Sequence, residues 1–211
     1  MIVYVGLTGL PASGKSTVVD ILEEWGNQLS VRCFRYSLSD EIRYRLQEDG
    51  TPISRQSLTQ YANDLRKAHG SGILAQFVVH RMCQEIQADT STPILALIDA
   101  IRNPGEVNRF RNSLGNKFRL VAVRATERTI RQRLQARQRE GESPVNLHNL
   151  LEAEWGINSS KFELNIGACT EMADWQIWND GSEQDLREHV QAMAKEHIVP
   201  LLRMAQVDED Q

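Results

Sequence analysis

The run Gly9-Leu10-Pro11-Ala12-Ser13-Gly14-Lys15-Ser16 constrains the fold of this chain more than any other feature. It matches the pattern Gly-x4-Gly-Lys-Ser, and it lies between an apolar run at residues 2–7 and a helical pattern. Glycines let the backbone turn so that successive N–H groups point at a phosphate, and the positive end of the following helix attracts negative charge. The sequence therefore predicts a strand–loop–helix unit that cradles the phosphates of a nucleoside triphosphate.

The residues of this loop have distinct expected contacts. Lys15 is placed to bridge the β- and γ-phosphates of ATP, and the Ser16 hydroxyl is placed to ligate Mg²⁺. ATP and Mg²⁺ are therefore the predicted cofactors. The predicted donor cradle consists of Gly9, Ala12, Ser13, Gly14, Lys15, Ser16 and Thr17.

Apolar segments alternate with helical patterns along the rest of the chain, which favours an α/β fold with a mainly parallel sheet. Strands are predicted at residues 2–7, 31–36, 93–98, 118–123 and 175–178. Residues 38–90 contain more helix than one crossover needs, so we expect a helical insertion that binds an acceptor. A loop rich in helix breakers predicts a short lid at about residues 138–148, and residues 1–211 are predicted to form a single domain.

Composition excludes several classes of partner. The net charge is −4 and no long run of like charge occurs, so neither a nucleic acid nor an anionic membrane is expected as a partner. The apolar N-terminal run is too short to span a bilayer. Cys33, Cys83 and Cys169 form no Cys-x-x-Cys pair and are expected to be free thiols, as in the reducing cytoplasm.

The residue after the third predicted strand distinguishes between classes of phosphate-loop protein. Neither the Asp-x-x-Gly run nor the Asn-Lys-x-Asp run of a GTPase occurs. Asp99 is followed by Ala100, whereas an ATP-hydrolysing machine usually has a water-activating Glu there. Ligands bind at the carboxyl edge of open α/β sheets, so Asp99 is expected to hold Mg²⁺ or to orient Arg102. These features favour a small-molecule kinase.

Residues 125–139 carry five arginines. Arg133 and Arg137 lie one helical turn apart beside the predicted packed face, whereas Arg128 and Arg131 point away from it. We therefore expect Arg133 and Arg137 to neutralise the charge of a transferring phosphoryl group, and Arg128 and Arg131 to be solvated.

Several runs resemble the adenylate-kinase-like nucleotide kinases. The run Ser37-Leu38-Ser39-Asp40-Glu41-Ile42-Arg43 is similar to the start of their monophosphate-binding helix. Asp99-Ala100-Ile101-Arg102 resembles their Asp-Gly-apolar-Arg signature, with Ala100 in place of the glycine. Further similar runs are Asn63-Asp64-Leu65-Arg66, Asn103-Pro104-Gly105-Glu106-Val107, Arg133-Leu134 with Arg137, and the run of residues 175–182. The closest resemblance is to the dephospho-coenzyme A kinase-like and deoxynucleoside monophosphate kinase-like branch.

This resemblance implies a three-layer αβα kinase fold with a five-stranded parallel sheet. It also implies an ATP donor and a nucleotide-like acceptor, most specifically a (deoxy)nucleoside monophosphate, held by Arg43 and Arg102 with Arg66. The alternative acceptor is the 3′-hydroxyl of dephospho-coenzyme A, for which Asp40 is the candidate base. A second alternative, suggested by Ala100 and the short lid, is a module that binds ATP without transferring phosphate.

Overall fold

Five parallel strands form one sheet in the order β2-β3-β1-β4-β5. The computed structural model describes residues 2–86, 92–137, 147–156 and 160–207. All four strand pairs are parallel, which confirms the predicted parallel sheet. The strands are β1 (Ile2–Thr8), β2 (Arg32–Ser37), β3 (Ile94–Ile101), β4 (Phe118–Arg124) and β5 (Trp175–Trp178).

Helices cover both faces of this sheet. The described helices in the first half of the chain are α1 (Lys15–Gln28), α2 (Leu38–Glu48), α3 (Arg55–His69), α4 (Ile73–Glu85) and α5 (Pro104–Leu114). Those in the second half are α6 (Glu127–Arg137), α7 (Leu147–Trp155), α8 (Ile166–Glu171), α9 (Glu183–Met193) and α10 (Val199–Val207).

The central strands are buried on both faces, and alternate residues face opposite layers. Leu95 and Leu97 of β3 pack in a cluster with α1, α9 and α10. Ala96 and Ile98 of the same strand pack in a second cluster with α2, α3, α4 and α5. The result is a three-layer αβα arrangement, as expected from the sequence.

The crossover from β2 to β3 contains α2, α3 and α4, so this stretch is helical as expected, and its role in binding an acceptor stays a prediction. Ser54 caps α3, because its side chain accepts from the Ser57 backbone N–H while the Ser57 hydroxyl accepts from the Ser54 backbone N–H. Gly70 ends α3 with a positive φ of 94°. Residues 87–91 of the predicted insertion lie outside the described residues.

The third strand extends to Ile101 rather than ending at Ile98, because its parallel pairing with β1 continues as far as Thr8 and Ile101. Asp99 and Ala100 therefore belong to the strand itself.

Of the predicted lid, residues 138–146 lie outside the described residues, and α7 begins at Leu147. Among the helices that the structure describes, none combines the length and apolar character that a membrane crossing requires.

Candidate functional site

A cavity of about 800 Å³ opens at the carboxyl edge of the sheet. The loop after β1, the helices α2 and α3, and the end of β3 all contribute to its walls. This is the edge at which ligands bind in open parallel sheets. The charged side chains that line it are mainly basic: Lys15, Arg43, Arg55, Arg66, Arg102 and Arg133, with the acids Asp99 and Glu183.

The loop at residues 9–16 requires glycine at two positions. Gly9 has φ 146° and Gly14 has φ 103°, both in a region that L side chains rarely adopt. A Cβ at Gly9 would lie 2.2 Å from the Val123 carbonyl oxygen, and one at Gly14 would lie 2.0 Å from the Asn179 side-chain nitrogen. Both glycines are therefore fixed by backbone conformation and by close packing around the loop.

The N-terminus of α1 suits a phosphate. Gly14 is its N-cap residue and has no side chain to cap the first turn. The first N–H groups of a helix have no intrahelical acceptors, and the helix dipole makes this end positive. Lys15 Nζ donates to the carbonyl oxygens of Gly9 at 2.9 Å and Leu10 at 3.0 Å, so its ammonium group lies on the loop. The arrangement is chemically suited to the phosphate tail of a nucleotide.

Ser16 and Asp99 are close enough to line the same two cavities, the large one and a neighbouring cavity of about 300 Å³. Asp99 Oδ1 accepts from the Ala100 backbone N–H at 2.6 Å, which orients the carboxylate. No group of three His, Cys, Asp or Glu side chains suited to a metal occurs among the described residues. A hydroxyl and one carboxylate nevertheless fit magnesium, which usually takes one or two carboxylates together with phosphate oxygens and water.

Arg133 on α6 reaches the loop of residues 9–16, called the phosphate loop below. Its Nη1 donates to the Ala12 carbonyl oxygen at 3.4 Å, and its Nη2 donates to Asn179 Oδ1 at 3.3 Å. Arg137 is the last residue of α6, and its side chain lies outside the described part of the chain. Arg128 is exposed, and Arg131 pairs with Glu127 at the surface. Of the arginines on this helix whose side chains are described, Arg133 is therefore the one that contacts the loop of residues 9–16.

Asn179, immediately after β5, is a buried residue that sequence reasoning treated only as part of a turn. Its Nδ2 donates to the Ser13 carbonyl oxygen at 2.8 Å, while its Oδ1 accepts from Arg133. One amide therefore orients both the loop and the arginine. Its position after a strand places it at the same edge of the sheet as the loop, but no local pattern in the sequence indicates the contact itself.

Asp180 anchors the start of α6 to the end of β5. Its Oδ1 accepts from the backbone N–H and the hydroxyl of Thr126, both at 2.8 Å. Burial by itself raises the pKa of Asp180, but hydrogen bonds from Thr129 and Thr126 outweigh this effect and lower the pKa. The carboxylate therefore stays charged at neutral pH and fixes the helix that carries Arg133.

Arg43, Arg66 and Arg102 all line the large cavity, but their partners differ. Arg43 is half-exposed and pairs with Asp40 at 2.6 Å. Arg66 is buried and bonds Glu106 Oε1 through Nε at 3.1 Å and Nη2 at 2.7 Å. Asp40 lines the smaller cavity with Ser16, Arg43 and Asp99 and is not part of the large cavity's lining. The structure thus brings the three arginines together and leaves Asp40 at the margin.

Arg55 and Glu154 form a further pair at this site that sequence reasoning missed. Arg55 begins α3 and lines the cavity, and its guanidinium contacts the buried carboxylate of Glu154 on α7. Arg102 Nη1 lies 3.9 Å from the same Glu154 oxygen. The two residues are 99 positions apart in the chain, so no local spacing pattern indicates the contact.

Comparison with known proteins places this geometry in a family. Residues 5–154 match the model of a family described as an AAA domain. A UPF0200 protein of Saccharolobus islandicus is 30% identical over 181 residues, which are 86% of each chain. A UPF0200 protein of Thermococcus gammatolerans is 28% identical over 204 residues, 96% of this chain and 98% of the relative.

Solved structures of P-loop kinases share the fold. Shikimate kinase from Acinetobacter baumannii, in complex with shikimate, has a TM-score of 0.52 at 14% identity, covering 95% of each chain. A gluconokinase from Sinorhizobium meliloti 1021 has a TM-score of 0.52 at 14% identity, covering 99% of this chain and 97% of the other. At this identity the likeness confirms the predicted P-loop kinase fold and does not identify a substrate.

Proposed function

The chain belongs to the AAA domain family and to the UPF0200 family, and from that premise we propose that it is an ATP-dependent small-molecule kinase. It transfers the γ-phosphoryl group of Mg·ATP to a nucleotide-like acceptor, most specifically a (deoxy)nucleoside monophosphate. We further propose that residues 1–211 act as one kinase domain. Because Cys33, Cys83 and Cys169 are free thiols, we place its activity in a reducing compartment such as the cytoplasm.

The observation that carries the proposal is that one cavity is lined both by the loop of residues 9–16 with Arg133 and by further arginines. We assign those further arginines, Arg43, Arg66 and Arg102, to the acceptor. A protein that only hydrolysed ATP would need no second cationic region. Two anion-binding regions in one cavity suit a donor triphosphate and an anionic acceptor.

The residue after Asp99 also supports transfer to an acceptor rather than to water. Ala100 lines the cavity at the position where a water-activating Glu would be expected. An alanine cannot accept a proton from an attacking water. A kinase needs positioning and charge neutralisation more than a strong base, because phosphoryl transfer goes through a loose transition state.

The residues have defined roles in this reaction. Lys15 and the first turn of α1 bind the donor phosphates, and the acceptor oxygen attacks the γ-phosphorus in line with the bridging oxygen. A new P–O bond forms to the acceptor as the bond to the β-phosphate oxygen breaks, and ADP leaves. Ser16 and Asp99 would hold magnesium, which supplies positive charge to the phosphate oxygens. Arg133 stabilises the negative charge on the transferring group.

ADP release with Mg·ATP, measured against a panel of ribo- and deoxynucleoside monophosphates and dephospho-coenzyme A, tests the proposal. Lys15→Ala should lower turnover about 10²- to 10³-fold, the usual loss for one preorganised contact. Lys117→Ala is the matched control, because Lys117 is exposed and remote from the cavity. Unchanged turnover in folded Lys15→Ala protein would contradict the assignment.

The same panel separates the alternatives. Product from dephospho-coenzyme A alone would identify the hydroxyl acceptor. Tight ATP binding without a phosphorylated product from any acceptor would identify a module that binds nucleotide without transferring phosphate.

A further inference from the structure

The carboxylate of Glu154 lies between two arginines of the cavity wall. Its side chain is only 4% exposed, and its Oε1 contacts the Arg55 guanidinium while lying 3.9 Å from Arg102 Nη1. Arg55 begins α3, Arg102 follows β3, and Glu154 lies near the end of α7. One carboxylate oxygen therefore links three elements of the site.

This pairing leaves hydrogen-bonding groups unused. Glu154 Oε2 and Arg102 Nε are both buried, and within the part of the chain that the structure describes neither has a hydrogen-bond partner. Leaving buried polar atoms without partners carries a free-energy cost, and the cost is larger for charged groups. The contact between Glu154 and Arg102 thus leaves one hydrogen-bonding atom of each residue unused.

The neighbouring pair of Arg66 and Glu106 provides a contrast beside the same cavity, which Arg66 lines. Glu106 Oε1 accepts two hydrogen bonds from Arg66, and Oε2 accepts from the backbone N–H groups of Arg102 at 2.9 Å and Asn103 at 3.0 Å. Both carboxylate oxygens are satisfied, and the side chain is fully buried. Glu106 is therefore a fixed structural anion, whereas Glu154 is held by incomplete contacts.

A phosphate monoester suits the position of Glu154 better than a carboxylate does. It offers three acceptor oxygens and close to two negative charges at neutral pH, and arginine binds such groups through paired N–H donors. It can therefore bond Arg55 and Arg102 through separate oxygens, including the Nε that now has no partner. The side chain of Glu154 offers a single shared oxygen to both.

We propose that Arg55 and Arg102 form an anion-binding subsite for the acceptor's phosphate group, and that Glu154 is an internal anion that the phosphate must displace. This inference rests on the proposed kinase function but concerns binding alone. It adds Arg55 to the acceptor site and makes Glu154 a determinant of acceptor affinity. Removing the charge of Glu154 should therefore strengthen phosphate binding.

Titration calorimetry with inorganic phosphate tests this directly and needs no turnover. Glu154→Gln keeps the size of the side chain and removes its charge, so phosphate should bind at least about tenfold more tightly than to the unaltered protein. The double variant Arg55→Gln with Glu154→Gln should lose that gain, which separates this subsite from phosphate bound at the loop of residues 9–16. Glu152→Gln, an exposed residue on the same helix, should leave the affinity unchanged.

Unchanged or weaker phosphate binding in folded Glu154→Gln protein would overturn the proposal. If that variant fails to fold, Arg55→Gln alone decides, because it should weaken the phosphate binding of the otherwise unaltered protein at least about fivefold. Unchanged binding there would also overturn it. The kinase assay could fail while Glu154→Gln still strengthens phosphate binding. That combination would contradict the proposed function and leave the proposed subsite supported.

Discussion

The side chain of Asn179 donates to the backbone carbonyl oxygen of Ser13 at 2.8 Å, so the end of the last strand holds the phosphate loop in place. The other end of the same amide accepts from Arg133. The amide also lies so close to Gly14 that a Cβ there would lie 2.0 Å from its nitrogen. Loop shape and arginine position therefore depend on one buried side chain.

We expect Asn179→Ala to weaken both folding and nucleotide binding. The substitution leaves the Ser13 carbonyl and one Arg133 donor without their partner, which should lower the free energy of unfolding by about 1–3 kcal/mol. Urea unfolding and ATP titration measure the two effects. Asn116→Ala, an exposed asparagine remote from the loop, should change neither. Nucleotide affinity that stayed unchanged in Asn179→Ala would mean that the amide does not order the loop.

Arg133 and Arg131 are a matched pair on α6. Arg133 lies on the phosphate loop, whereas Arg131 pairs with Glu127 at the surface. If Arg133 stabilises the transferring group, Arg133→Gln should lower kcat about 10²- to 10³-fold, and Arg131→Gln should change it less than about twofold. Steady-state rates of ADP release measure both. Equal effects of the two substitutions would show that the position of Arg133 has no special role.

Ala100 has a φ of 64° although it carries a side chain. Ala100→Gly relieves the strain of this left-handed conformation, which should add about 1–2 kcal/mol to the free energy of unfolding. Glycine also makes the unfolded chain more flexible and removes one buried methyl group, and these two losses offset the gain. We therefore expect Ala100→Gly to change the free energy of unfolding by less than about 1 kcal/mol. Ala100→Val should lower it by at least about 2 kcal/mol, because a β-branched residue at this φ is strained and the site is buried.

Ser30→Gly provides the control for the backbone contribution. Ser30 also has a positive φ, of 57°, but it is exposed, so no buried contact is lost. Urea unfolding should show a gain in stability of about 0.5–1 kcal/mol. If Ala100→Val left the free energy of unfolding unchanged, the conformation of Ala100 in β3 would not be strained.

The fold was predictable because buried parallel strands are continuous apolar runs. The predicted β5 coincides with Trp175–Trp178, and the other strands begin within one residue of their predicted starts. The end of β3 was predicted too early because Asp99 interrupts the apolar run. Its backbone nevertheless stays in the sheet, where it pairs with Ser37. Hydrophobic pattern reports side-chain burial and does not report backbone pairing.

The site was predictable only where its residues belong to a local motif. The loop with Lys15, and the cavity positions of Arg43 and Arg102, follow from runs that can be read along the chain. The contact of Asn179 with Ser13 joins residues 166 positions apart, and that of Arg55 with Glu154 joins residues 99 apart. Such contacts depend on how the helices pack on the sheet, and a single sequence has no periodicity that encodes them.

The pair of Asp40 and Arg43 distinguishes a phosphate acceptor from a hydroxyl acceptor. A monophosphate acceptor attacks through an oxygen that is already charged and needs Arg43 for binding, whereas a hydroxyl needs a base, for which Asp40 is the candidate. Asp40 lies outside the lining of the large cavity and is engaged by Arg43 at 2.6 Å. Both features favour the phosphate acceptor.

Arg43→Ala should therefore raise the acceptor KM about 10- to 100-fold, the loss expected for a hydrogen bond to a charged group. Asp40→Asn should lower kcat less than about fivefold. With a phosphate acceptor, Asp40 pairs with Arg43 and does not accept a proton in the reaction. Lys67→Ala, an exposed residue on α3, serves as the control. Initial rates at varied acceptor concentration separate the two parameters. Loss of kcat in Asp40→Asn with an unaltered KM in Arg43→Ala would instead establish a hydroxyl acceptor, because only that reaction requires the carboxylate to take a proton.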